Sequence, residues 1–456
     1  MKQGKREDPG DEEIDSDFSS DEETAAAATG KRGRDDDDSD TETADEKRLR
    51  LAKQYLQAVR HEEEDKYGQD DADDAVENRL TRDILERTGR YIKRVAGRLH
   101  KHIDDGSTTR CLRGHSLTAT CIDVAKDDTE VYSGSKDCTV IRWDVETGQK
   151  KATLLDPEAT KGRQAQVLAL SVNSDGRLLA AAGHDSVIRL WDTRSSALVG
   201  TFSGHRDSVT GLAFQEGSNQ LYSGSSDRSV KVWNMDELAY VDTLYGHQSP
   251  ILAIDALARE RCITSGADRT MRLWKIVEDT QLVFGGHQGN VDCISMLNED
   301  SFITGGEDGM VSLWHTSKKK AALSLSHSQT HVSESGDDST RWVSAVAACR
   351  YSDLAASGAA DGAVRLWRAE APRTLTCVGS VPMAGHVNGL AFSSDGKLLF
   401  AACGQEHRLG RWSHIKGVKN GVYITRIGDG LEEGDEDGAD DSGESSYEDD
   451  SADEVE

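Results

Sequence analysis

No apolar run in the sequence reaches about 18 residues, the length a membrane-spanning helix needs, so no membrane partner is expected. The opening MKQGKREDPGDEE has no apolar segment, which argues against a secretory leader. The eight cysteines show no C-x-x-C spacing. Cys121, Cys138, Cys293, Cys349 and Cys403 sit in strand-like apolar runs, the pattern of buried free thiols rather than of disulfides or a zinc site. A P-loop, H-E-x-x-H and a G-x-G-x-x-G between strand and helix are all missing. The Gly-rich DGLEEGDEDG lacks the order of a calcium loop. Together these gaps predict no metal, no cofactor, no small-molecule substrate and no enzyme.

Basic charge is scarce at both ends. The net charge is −28, yet residues 1–76 contribute −14 and the last 28 residues, with 15 acids and no base, contribute −15. What lies between is close to neutral, so the overall acidity says little about its partners. Residues 1–42 and 428–456 are low in apolar content and rich in acid, and are expected to be disordered tails.

What the chain does have is a repeat. GHRDSVTGLAFQEGSNQLYSGSSDRSVKVW, from Gly204 to Trp233, strings short period-two apolar runs between turn residues, which reads as antiparallel strands. Terminal Trp residues recur at Trp143, Trp191, Trp233, Trp274, Trp314, Trp367 and Trp412, each six residues after an acid. The acids are Asp137, Asp185, Asp227, Asp268, Asp308, Asp361 and Glu406. Gly-His openers stand at His115, His205, His247, His287 and His386, and a hydroxyl lies four residues before the acid at Ser133, Ser223, Thr264, Thr304 and Ser357. Copies two and six lack the Gly-His, and Ala181 and Ala402 replace the hydroxyl in copies two and seven. Whole tetrads are therefore expected in copies one, three, four and five: His115/Ser133/Asp137/Trp143, His205/Ser223/Asp227/Trp233, His247/Thr264/Asp268/Trp274 and His287/Thr304/Asp308/Trp314. His, hydroxyl and carboxylate at a spacing repeated in several copies form structural clasps, not hydrolase triads. A period of about 40 residues with four strands ending in Trp resembles the WD40 repeat, and seven copies imply an all-β, seven-bladed propeller over 105–427.

Around that core, residues 43–104 are expected to form a helical extension. Leu49, Ala52, Tyr55, Leu56 and Val59 recur at helical spacing behind a Thr43/Glu46 capping box. A second, basic amphipathic helix is predicted from Asn78 to Ile103. Cys111–Arg113 is expected to close the ring as an outer strand against the last blade, a task that Gly421–Ile427 can share. Insertions are expected at Asp156–Gln166 and Lys318–Arg341. KRGR (Lys31–Arg34) and KRLR (Lys47–Arg50) have the composition of a split nuclear-import signal.

Three further stretches, TADEKRLRLAKQYL, LTRDILERTGRYIKRVA and GQEHRLGRW, together with GHRDSVTGLAF and SDRSVKVWN, closely resemble the WD-repeat subunit of the U3 small nucleolar ribonucleoprotein. The likeness spans about Thr41 to Ile427 and leaves the acidic ends outside it. It implies a nuclear, nucleolar RNA-binding protein that recognises the box B/C element of U3 small nucleolar RNA beside a kink-turn-binding protein. It also implies work with other small-subunit processome proteins in early processing of precursor ribosomal RNA. On that reading the candidate RNA contacts are Arg87, Arg90, Lys93, Arg94 and Arg98 on the basic helix, and Lys136, Arg206, Arg228, Arg269, His407, Arg408 and Arg411 on the propeller. The alternative is a nuclear WD40 scaffold that binds histones or chromatin factors.

Overall fold

A computed structural model of the chain describes residues 47, 49–50, 53–57, 59–60, 76, 79–81, 92–99, 109–154, 166–327, 342–370 and 374–428. The chain divides into two compact units, Met1–Glu77 and Asn78–Glu456. In the first, the described residues between Lys47 and Arg60 are helical, in line with the apolar stripe. The acidic tails, Arg87, Arg90 and, up to residue 165, the Asp156–Gln166 insertion lie outside the described residues.

The second unit holds seven four-stranded antiparallel sheets, the seven blades of the expected propeller. Blade three shows how sequence makes the sheet. Val209–Phe214, Gln220–Ser225, Ser229–Asn234 and Ala239–Tyr245 pair in order from the channel outward. The two middle strands are almost wholly buried on both sides, while the outer strand exposes Tyr240, Val241 and Tyr245.

Neighbouring blades are joined by a repeated pair of devices. A hydroxyl at the start of the inner strand donates to a backbone carbonyl on the next blade: Thr120 to Val167 O, Thr210 to Ile251 O and Ser344 to Val387 O, each at 2.6 Å. The second strand meanwhile presents a glycine to that same neighbouring residue. A Cβ on Gly224 would sit 2.9 Å from Ile251 Cγ2, and one on Gly358 2.5 Å from Val387 Cγ1. Glycine is required there by close approach rather than by a turn.

Blade seven closes the ring and completes the expected seven, but its last Trp needs correction. Its strands are His386–Phe392, Leu398–Gly404, Gly421–Arg426 and, outermost, Thr109–Leu112. The N-terminal strand does zip the ring shut, as CLR predicts. Gly421–Arg426, however, is the third strand, the place that Trp412 is expected to end. Trp412 lies instead in the loop 405–420, with 60% of its surface exposed. The Lys318–Arg341 insertion is also shorter than expected, because Leu323–Ser326 is the outer strand of blade five. Cys138 lies in a tight turn at φ 66° rather than in a strand.

The basic helix over Asn78–Ile103 is not continuous. Residues 79–81 are helical, but 92–99 run extended, with a single 3-10 turn at Ala96–Arg98. The reason is Asp353, a buried carboxylate whose Oδ1 accepts the amides of Val95 at 2.7 Å and Ala96 at 2.9 Å. Lys93 adds a bridge to Ser352, and Leu99 one to Gly428. An intrahelical ladder would need those same backbone groups.

Candidate nucleic-acid interface

The turns between second and third strands and the loops joining successive blades share one face of the ring, and the tetrads fix that face. In blade three, Trp233 Nε1 donates to Ser223 Oγ at 2.9 Å, Ser223 Oγ lies 2.8 Å from His205 Nε2, and His205 Nδ1 lies 2.9 Å from Asp227 Oδ2. Donation from Trp233 to Ser223, from Ser223 to His205 Nε2 and from His205 Nδ1 to Asp227 satisfies the whole chain. Asp227 also accepts the amides of Arg206 and Ser229 and the Ser229 hydroxyl. Burial opposes ionisation of Asp227, but these donors, His205 foremost, hold its carboxyl well below the usual range. Blades four and five repeat the geometry with Thr264 and Thr304 as the hydroxyl. Blade one does so more loosely, His115 Nδ1 standing 3.4 Å from Asp137 Oδ2.

Blade six carries a tetrad that the Gly-His pattern missed. His327 Nδ1 lies 2.8 Å from Ser357 Oγ, which accepts from Trp367 Nε1 at 2.7 Å, and His327 Nε2 faces Asp361 at 3.5 Å. The opener here is Ser-His, and residues 328–344 separate it from the inner strand Ala345–Ala348, so spacing alone conceals it. The His, hydroxyl and Trp groups are buried, the carboxylates half-buried, and all are committed to one another. They are clasps.

In blades three and four the turn acid is drawn into its clasp and the following residue is left at the surface. Arg228 and Arg269 occupy that position at φ 71° and 61°, where blades five and six use Gly309 and Gly362. Both arginines are exposed, as is Arg206 in the loop entering blade three. A left-handed backbone costs a non-glycine residue about 1–2 kcal/mol. Replacing Arg228 or Arg269 with Gly is therefore expected to stabilise the propeller by up to about 1 kcal/mol once glycine's backbone entropy is counted, as read by denaturant midpoint. If these side chains serve binding, the same variants weaken RNA capture, a trade that a purely structural arginine would not produce.

Blade seven crosses the same face by its long loop. Lys136 of blade one reaches into it, pairing with Glu406 at 3.2 Å and donating to Gly410 O at 2.9 Å, its side chain only 2% exposed. Arg408 extends inward across the channel and donates to Leu252 O at 3.2 Å and Asp292 O at 2.6 Å, bracing blades four and five from blade seven. His407 is buried and stacks on Trp342, ring centroids 4.3 Å apart. Burial first, and then Arg408, push its pKa down to about 2, so it is neutral. These three expected RNA contacts are corrected: Lys136, His407 and Arg408 are turned into the protein, where they set the loop's shape. Arg411 remains exposed and pairs with Glu406 at 3.3 Å.

Beside Arg408, buried Asp292 accepts from Trp342 Nε1, and burial raises its pKa to about 6 despite Arg408. A folded value above the unfolded one means that the native state binds the proton more tightly, so stability falls as pH rises between about 4 and 6. From pH 5 to 7.5 this carboxyl accounts for about 1 kcal/mol of lost stability. Asp292→Asn is expected to remove that part of the slope in urea titrations, while Asp123, raised by burial to the same range, keeps its own.

The opposite face bears the N-terminal segment. Arg94 is exposed there, whereas Lys93 and Arg98 are half-buried against blades six and seven. Lys93, Asp123, Glu216, Asp255 and Arg350 line a cavity of 480 Å³ at this mouth of the channel. The cationic residues named from sequence thus fall on two faces. Arg206, Arg228, Arg269 and Arg411 share the clasp face.

Such a frame, with buried clasps and varied exposed turns, defines a WD-repeat binding propeller. The family described as WD domain, G-beta repeat matches residues 106–144, 156–192, 196–234, 239–275, 279–315, 326–368 and 375–412. The chain is 44% identical to U3 small nucleolar RNA-interacting protein 2 of Mus musculus, over 84% of this chain and 82% of that protein. It is 36% identical to the U3 snoRNP-associated protein-like EMB2271 of Arabidopsis thaliana, over 84% of this chain and 85% of that one. The crystal structure of RRP9 WD40 repeats superposes with a TM-score of 0.67 at 45% identity, covering 70% of this chain and 98% of that one. The chain belongs to the family of WD-repeat subunits of the U3 small nucleolar ribonucleoprotein.

Proposed function

We propose that this chain is a non-catalytic RNA-binding subunit of the U3 particle acting in ribosomal RNA processing. It binds U3 small nucleolar RNA at the box B/C element beside a kink-turn-binding protein and works in the nucleolus within the small-subunit processome. The observation that carries the reading is the clasp face: Arg206, Arg228, Arg269 and Arg411 stand exposed on a rigid ring, two of them held at left-handed turns. A preorganised cationic surface suits a kinked RNA, which is recognised by backbone and shape. Its names being drawn from the U3 particle, the relatives support the same partner. Arg94 on the other face, with Arg87 and Arg90 preceding it in sequence, reaches a second part of the particle.

The test is binding of the full-length chain to a U3 box B/C fragment, with and without the kink-turn protein. Retention of the RNA that strengthens when the kink-turn protein is seated supports the reading. Preference for basic histone peptides over that RNA contradicts it.

A further inference from the structure

We propose that Trp412 is a stacking platform for an unpaired nucleobase, an inference that rests on the RNA-binding reading above and gives it a specific site. Other blades cross this face in tight turns such as 226–228, whereas blade seven uses the loop 405–420. Long irregular loops in a compact domain are usually functional. This one is held firmly. Gln405 N donates to Asn420 Oδ1 at 3.0 Å, Gln405 Nε2 to Val418 O at 2.8 Å, and Asn388 Nδ2 to Glu406 O at 3.0 Å. Lys136 fixes Gly410 from the next blade.

The indole is backed by a second stack. Trp412 and Trp342 lie nearly parallel, 11° apart with centroids at 5.7 Å, and Trp342 stacks in turn on His407. Since His407 is neutral, the stack adds no charge beside Arg408. Gly410 makes room for the ring: a Cβ there would meet Trp412 Cζ3 at 1.8 Å. The result is a rigid aromatic surface, 60% open to solvent, that costs apolar hydration in the free protein.

Its surroundings choose the occupant. Arg411, His414, Lys416 and Lys419 are exposed on the same loop, and the loop's one acid, Glu406, is already paired with Lys136 and Arg411. An aromatic plane among cations fits a base on the ring with its phosphates on the basic side chains. A protein partner binding through apolar contacts would find few beyond this ring. Trp342 lies outside the repeat spacing, and that spacing makes Trp412 look like a strand terminus.

Binding of the full-length wild type, Trp412→Ala, Trp412→Phe and Gly410→Ala to the box B/C fragment with the kink-turn protein seated tests this. Trp412→Ala is expected to weaken binding by about 5- to 100-fold, the range of base–aromatic stacking. Trp412→Phe should recover most of the loss, and Gly410→Ala should weaken binding by displacing the ring. Melting temperatures should remain close to wild type, and ultraviolet crosslinks should map to the peptide holding Trp412. If the wild type fails to retain the RNA, the RNA-binding reading itself falls and the platform with it. If the wild type binds and Trp412→Ala binds equally, only the platform is overturned. Loss of a protein partner by Trp412→Ala at unchanged RNA affinity also overturns it.

Discussion

Asp227→Ala is expected to destabilise the propeller by about 3–5 kcal/mol, against about 1 kcal/mol for Asp185→Ala. Both acids occupy the same repeat position, so the contrast isolates the clasp. Asp227 accepts from His205, from the Ser229 hydroxyl and from two backbone amides. Removing it strands all four donors in a site that water reaches poorly. Asp185 accepts from Val187 N at 3.3 Å and pairs with Arg189 at 2.5 Å, in a blade where Ala181 replaces the hydroxyl. The pH dependence separates them further. Because the folded carboxyl of Asp227 is lowered, its contribution is complete above about pH 4 and is lost as the pH falls. Asp227→Ala should therefore show a smaller acid-induced loss than wild type. Equal destabilisation by the two substitutions, in matched denaturant titrations, would refute the clasp as a distinct source of stability.

The second large effect is on binding. Arg206→Glu, Arg228→Glu and Arg269→Glu combined are expected to lower affinity for the box B/C fragment at least about 100-fold. They should also reduce the slope of log K against log salt by about 2, given about 0.7–0.9 for each neutralised phosphate. All three side chains are exposed and none of them forms a clasp, so the melting temperature should change little. Arg94→Glu on the opposite face should leave this complex within a few-fold of wild type and act instead on assembly of the larger particle. An unchanged salt slope in the triple variant would place the RNA elsewhere on the ring.

The repeat was legible because each clasp constrains four residue types at once, and strand alternation shows in any period-two run. Blades one to five follow directly from it. The failures have definite causes. The stripe Ile92, Val95, Leu99 has helical spacing, but spacing does not reveal that Asp353, 258 residues from Val95, takes the backbone amides. His327 escaped because its clasp spans a long connection. Trp412 has the right distance from Glu406 by coincidence of sequence, while the third strand begins only at Gly421. Among the RNA candidates, a count of basic residues near turns could not tell outward from inward. Lys136 and Arg408 are as cationic in sequence as Arg228, yet they brace the loop and the channel.

Crosslinking of the tagged chain in cells, followed by sequencing of the attached RNA, separates RNA binding from chromatin binding. A dominant peak is expected on U3 small nucleolar RNA at box B/C, diminished by the triple arginine reversal and by Trp412→Ala. Reads scattered over unrelated RNAs, or absent while histones co-purify, would contradict it and favour a chromatin-binding propeller.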